Sequence, residues 1–283
     1  MTSSGKGELI DWHTHCWTRE IITDAAREEM KKHGVRGTDA WPENFQKAVA
    51  DTAQKFMVIA GPTRPGRKQS NDFVSEYVSQ FPGRAVGLCS VHPEDEGAVE
   101  EVHRSMTELG LKGLKLSPVY QGFDPWDPKA WALYEKVNEL NGVVMYHMGG
   151  GYPPSATLEW GNPLTLDRIG RTYPDLRIIV AHFGQPMMEE TVVLMRKNQN
   201  IWTDLSARFH RKWQLYNGLQ VAIEYKVHDR ILFGSDFPVM TTQEALDAFV
   251  NINDWGEGVK MPRIPEEIIN DIIYNRPFDL LGF

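Results

Sequence analysis

Short apolar runs recur along the chain, and each stops where a polar side chain begins. The first, Leu9-Ile10-Asp11-Trp12-His13-Thr14-His15-Cys16-Trp17, carries two histidines one residue apart. Runs of the same kind occupy residues 56–60, 85–91, 114–116, 143–147, 177–182, 201–206 and 231–236. Their lengths and β-branched content predict buried strands rather than helices. Between them the periodicity and capping residues predict helices over residues 19–33, 42–52, 71–80, 94–109, 127–140, 164–172, 187–197, 212–226 and 242–252, with one more helix and a tail from 265 to 283. Asn71-Asp72 offers a cap, Pro82-Gly83 a stop, and Asn141-Gly142 ends one helix just before the strand at Val143.

Eight buried strands alternating with helices fit a (β/α)8 TIM barrel better than an open doubly wound sheet. No linker, short repeat or low-complexity segment divides the chain, so residues 1–283 are expected to form one domain. In such a barrel the carboxyl ends of the strands line one mouth, where active sites are built. The ligand-type residues fall at those ends: His13 and His15 on the first strand, His147 on the fifth, His182 on the sixth and Asp236 on the eighth. Side chains at i and i+2 of a strand share a face, so His13 and His15 can converge on one point. Neutral imidazole binds metal near pH 7, which makes a metal the natural occupant. A histidine satisfied by a backbone carbonyl is the plainer reading, and for His182 it competes most closely.

Charge and cysteine usage narrow the partners. With 30 Lys+Arg against 38 Asp+Glu the formal net charge is −8, which disfavours nucleic acid and anionic membranes and leaves small substrates. Two cysteines, Cys16 and Cys89, are too few for a disulfide framework and suit a reducing compartment. No secretory segment or membrane-length apolar run is visible, so a soluble cytoplasmic protein is expected. The basic loop Thr63-Arg64-Pro65-Gly66-Arg67-Lys68 is either a positive edge for an anionic substrate or an ordinary solvated turn. Arg208, just after the seventh strand, can reach the mouth to clamp a carboxylate bidentately or can form a surface ion pair. Cys16 should face away from His15, His92 reads as a loop residue, and His33, His103, His210 and His228 as solvated. Of the tryptophans, Trp17, Trp126 and Trp160 follow strand ends and can wall a flat substrate.

The motifs Asp11-Trp12-His13-Thr14-His15, Gly113-Leu114-Lys115-Leu116, Tyr146-His147, Val180-Ala181-His182-Phe183-Gly184 and Phe233-Gly234-Ser235-Asp236-Phe237-Pro238, with the tail Tyr274-Asn275-Arg276-Pro277, resemble the amidohydrolase superfamily in its amidohydrolase-related branch. That branch holds both hydrolases and aminocarboxymuconate-semialdehyde and resorcylate-type decarboxylases. The resemblance implies one divalent metal, Zn or Mn, held by His13, His15, His147 and Asp236. It implies His182 beside the reacting oxygen, Asp236 as proton shuttle, and a homodimer. A strand-four lysine is carbamylated between two metals in some branches. Lys115 is expected instead to be a structural or substrate-facing cation, with Arg208 and Trp17 as further substrate contacts.

The leading expectation is a hydrolase opening an amide or lactone in a small, carboxylated molecule, with Asp236 moving the proton and His182 steadying the oxyanion. The alternative is a non-oxidative decarboxylase using the same ligands. The brevity of the chain favours hydrolysis. A non-catalytic metal-binding protein is the third reading, and retention of Asp236 counts against it.

Overall fold

The computed structural model describes residues 7–32, 34, 36–61, 71–256, 258 and 260–283. The basic loop at 63–68 and His33 lie outside them. Eight parallel strands, β1 (Ile10–Thr14), β2 (Lys55–Ile59), β3 (Ala85–Ser90), β4 (Gly113–Leu116), β5 (Val143–His147), β6 (Arg177–Ala181), β7 (Ile201–Asp204) and β8 (Ile231–Leu232), pair in sequence order. The chain beyond β8 returns to β1 through Trp12 N–H to Phe233 O at 3.0 Å, Asp236 N–H to His13 O at 2.8 Å and His15 N–H to Phe237 O at 2.8 Å. These bonds close the sheet, and the fold is the expected (β/α)8 barrel.

The helices are α1 (Asp24–Lys32), α2 (Pro42–Phe45), α3 (Asn71–Ser79), α4 (Ala98–Thr107), α5 (Pro118–Gln121), α6 (Pro128–Glu139), α7 (Leu166–Thr172), α8 (Met188–Lys197), α9 (Lys212–Glu224), α10 (Thr242–Val250) and α11 (Glu266–Tyr274). Two, α1 and α4, begin four or five residues later than the sequence pattern suggests. Residues 19–22 are turns ahead of α1, and Gly97, in the left-handed region at φ 76°, delays α4 to Ala98. At α10 the Thr241 hydroxyl and the Glu244 carboxylate form a reciprocal capping box. Among the described residues no helix is long and apolar enough to cross a membrane.

Strand alternation sorts the side chains into two cores. Leu88, Val143, Met145, Ile179, Ala181 and Leu232 fill the barrel interior, while Leu114, Leu116, Val144, Tyr146, Ile178 and Val180 pack outward against the helices. Lys115, between Leu114 and Leu116, therefore points inward. His147 continues the inward phase of Val143 and Met145. The tail seals the amino-terminal end of the barrel: the Trp12 ring meets Phe278 edge-on at 5.2 Å, and its indole N–H donates to Arg276 O at 3.2 Å.

β1 is the irregular strand. Its register with β2 shifts between Asp11 and Thr14, so Trp12 fills the interior and His13 still reaches the mouth. The Asp11 carboxylate fastens this strand to α10, accepting from Ser235 N–H at 2.9 Å and from the Thr242 hydroxyl at 2.6 Å. The ladder of β8 stops at Leu232. Gly234 then passes so close to β1 that a Cβ there would lie 3.0 Å from that of His13.

Candidate metal centre

His13 is fully buried at the end of β1, and His15 sits one residue past it. Hydrogen-bond partners fix the imidazole tautomers. His13 Nδ1 lies 2.9 Å from Asp204 Oδ2, and His15 Nδ1 lies 2.9 Å from Ile59 O. A carbonyl or carboxylate oxygen can only accept, so both rings carry their proton on Nδ1 and present a bare Nε2. Those two Nε2 atoms stand 3.4 and 3.5 Å from Asp236 Oδ1. His13 Nε2 has no hydrogen-bond partner. Three lone-pair atoms thus face one another with no proton between them, an arrangement that a cation relieves. Two imidazoles and a carboxylate suit a borderline divalent ion.

Asp236 reaches this point through a left-handed backbone, φ 61°, held by its N–H on His13 O and by Val239 N–H on its own carbonyl at 2.7 Å. Burial pushes its carboxyl up, but His13, His15 and Lys115 more than reverse this and leave it below the ordinary carboxylate value. Burial also holds His13 well below its ordinary value, with Lys115 adding to the effect.

His147 is not drawn into this group. Its Nε2 donates to Gly150 O at 3.0 Å, leaving Nδ1 as the nitrogen outside that bond. Its ring stands 4.8 Å from that of His182, with the Tyr120 ring 4.5 Å away on another side. Burial, seconded by Lys115, lowers its pKa to about 4. Gly149, at φ 93°, allows this loop to press on the next one; a Cβ there would fall 1.7 Å from Gln185 O.

Asp204 organises the far side, and the sequence reading passed over it. Its Oδ2 serves His13, and its Oδ1 accepts from His182 N–H at 3.1 Å, Ser206 N–H at 3.0 Å and the Ser206 hydroxyl. With that hydroxyl proton committed to Asp204, His182 Nδ1 must donate to Ser206 Oγ at 2.8 Å, so its Nε2 is an acceptor. Burial keeps the ring well below its ordinary pKa and therefore neutral. In this state the Nε2 of His182 can accept a hydrogen bond and has no proton to donate to an oxyanion. The available signal for Asp204 was its position as a carboxylate ending an apolar run, the same grammar that marked His147 and Asp236.

Two cations complete the surroundings. Lys115 is 2% exposed and its Nζ has no hydrogen-bond partner; burial lowers its pKa to about 8, with Asp204 and Asp236 pulling partly back. Arg208 is fully buried, so the surface ion pair is not what holds it. The Tyr152 hydroxyl approaches the guanidinium, yet none of its three nitrogens has a well-directed partner. Burial lowers Arg208 to about 10.

Trp17 is buried with its ring 6.0 Å from that of His15, whereas Trp126 lies on the outer flank, donating to Thr165 O with Arg168 over its ring. His92 is a satisfied core residue, bonded to Gln121 O and Glu94 N–H. His103 is exposed as expected, while His210 and His228 are partly buried. Cys16 packs in the outer core, away from the centre.

The protein-family model described as "Amidohydrolase" matches residues 10–282, and the chain belongs to that family. It is 27% identical to 2-amino-3-carboxymuconate-6-semialdehyde decarboxylase of Dictyostelium discoideum over 130 residues, 40% of this chain and 36% of that relative's length. It is 22% identical to gamma-resorcylate decarboxylase of Polaromonas sp., covering 89% of this chain and 87% of the relative. The fold matches a solved dihydroxybenzoic acid decarboxylase from Polaromonas sp., carrying manganese and the inhibitor 2-nitroresorcinol. The TM-score is 0.66, with 19% identity and 95% of each chain covered. That coverage removes chain length as a reason to prefer hydrolysis. The hydrolase expectation stands only at the level of the superfamily, and the named sequence relatives are decarboxylases.

Proposed function

We propose that this chain is a metal-dependent, non-oxidative decarboxylase of a small hydroxylated carboxylic acid, aromatic or muconate-like. The observation that carries the reading is the unprotonated set of His13 Nε2, His15 Nε2 and Asp236 Oδ1, set among buried cations that lack anions of their own. The names of the two sequence relatives favour loss of CO2 over hydrolysis. His13, His15 and Asp236 would hold the metal, His147 joining through Nδ1, and manganese is the ion favoured by the related structure.

A divalent ion there would supply positive charge that binds acidic oxygens and draws electrons from the carbon losing its carboxylate. The protein's own groups do the rest. Arg208 offers a planar, unpaired guanidinium to a carboxylate. Asp236, ionised at rest, accepts the proton of a substrate hydroxyl and passes it to the carbon that bears the carboxylate. The carbon–carbon bond breaks, CO2 departs, and the hydroxyl regains its proton from solvent. His182, through Nε2, accepts a hydrogen bond from the substrate and fixes its orientation. Burial of His13 and its neighbours keeps water from the transferring proton.

The test is to incubate manganese-loaded protein with dihydroxybenzoates, carboxylated muconate semialdehydes and a panel of lactones and amides, measuring CO2 and product acid separately. CO2 release that falls by at least ~100-fold in Asp236→Asn, with metal retained, supports the reading. Hydrolysis without CO2 release, or an Asp236→Asn protein of full activity, overturns it.

A further inference from the structure

Lys115 has a neighbour whose situation matches its own. Ser90 on β3 is fully buried, and its hydroxyl has no hydrogen-bond partner. It lies two residues beyond Leu88, which fills the barrel interior, so it too faces inward. Ser90 and Lys115 are Cα partners in the β3–β4 ladder, which places their side chains side by side on the inner wall. A buried ammonium and a buried hydroxyl, both unsatisfied, are costly to maintain unless something outside the chain completes them.

Their position says what that is. With the strands in the order β1 to β8, β3 and β4 lie across the barrel from β7 and β8, which carry Arg208 and Asp236 at their ends. Both cations act on His147 and Asp236, so both look onto the same centre from opposite walls. Neither Lys115 Nζ nor the Arg208 guanidinium has a carboxylate partner among the described residues, so each of the two walls presents an unpaired cation.

We propose that Lys115 and Ser90 form a second anion subsite, opposite Arg208, so that the substrate is a dianion held at both ends: a dicarboxylate, or a carboxylate bearing a second acidic oxygen. This rests on the decarboxylase reading for what is done to the substrate, but not for how it is bound. Arg208 takes one carboxylate; Lys115 Nζ and the Ser90 hydroxyl donate to the other anionic oxygen. The subsite selects by charge and separation, not by ring chemistry.

Binding of unreactive acids to the manganese-loaded protein tests this by calorimetry. Benzoate is the monoanion; the three benzenedicarboxylates and glutarate are dianions of graded length. At least one dianion should bind about 10- to 100-fold more tightly than benzoate, the range of a charge-assisted hydrogen-bonded contact. Lys115→Met should erase that preference, bringing the affinity for the dianion down to that of benzoate measured on the same variant. Ser90→Ala, which keeps the charge and the fold, should reduce the preference several-fold. The subsite is overturned if no dianion exceeds benzoate, or if the preference survives in Lys115→Met. Absence of CO2 release from the dihydroxybenzoates and carboxylated muconate semialdehydes of the activity panel, with the preference intact, would sink the decarboxylase reading alone. CO2 release without the preference would sink the subsite alone.

Discussion

Replacing Lys115 by methionine should stabilise the metal-free protein, although it removes a residue we place at the substrate. The Lys115 ammonium is buried without a partner, and its pKa falls from 10.5 to about 8. At 1.36 kcal/mol per pKa unit this difference corresponds to roughly 3 kcal/mol against the folded state wherever the group is protonated in both states. The sign follows from proton counting. Between about 8 and 10.5 the unfolded chain binds more protons at this residue than the folded one, so stability rises with pH across that window. The penalty is complete below the folded pKa and has vanished above the unfolded one. Methionine has similar length and no charge, so Lys115→Met should gain about 1–3 kcal/mol at pH 7, with the gain fading towards pH 10. Urea denaturation of the chelator-treated proteins at pH 7, 8.5 and 10 measures this directly, and the difference between the two proteins cancels the titration of other groups. A variant less stable at pH 7, or a difference that does not change with pH, would refute the claim that Lys115 is an uncompensated buried charge.

Asp204→Asn removes the carboxylate that fixes the His13 tautomer, and metal affinity should fall about 10- to 100-fold, read by competition with a chromophoric chelator. Unchanged affinity would mean that the Asp204 contact does not orient the ligand. Gly149→Ala forces a Cβ to within 1.7 Å of Gln185 O at a φ of 93°, so the backbone after β5 must move. The expected loss is at least ~2 kcal/mol, a drop of several degrees in melting temperature for a chain of this size; a melting point within one degree of wild type would refute the close approach.

The barrel and most of its mouth are legible in the linear pattern. Apolar runs of strand length, helices between them and polar residues at the strand ends require only local propensity and periodicity, and they place His13, His15, His147, His182 and Asp236 at one end of the sheet. The spacing of His13 and His15 anticipates their convergence, although the strand achieves it through a register shift near Asp11 that no periodicity announces. What tertiary structure alone decides is which atom of each side chain meets which. The turn of His147 towards Gly150 depends on a loop conformation, and the role of Asp204 depends on β7 lying beside β6 and close to β1. In the sequence Lys115 and Arg208 stand only as candidate substrate-facing cations, and Ser90 looks like an ordinary strand residue. Their lack of partners is a property of everything around them, and only the closed barrel, by excluding water from their polar atoms, turns the three side chains into a demand for a ligand.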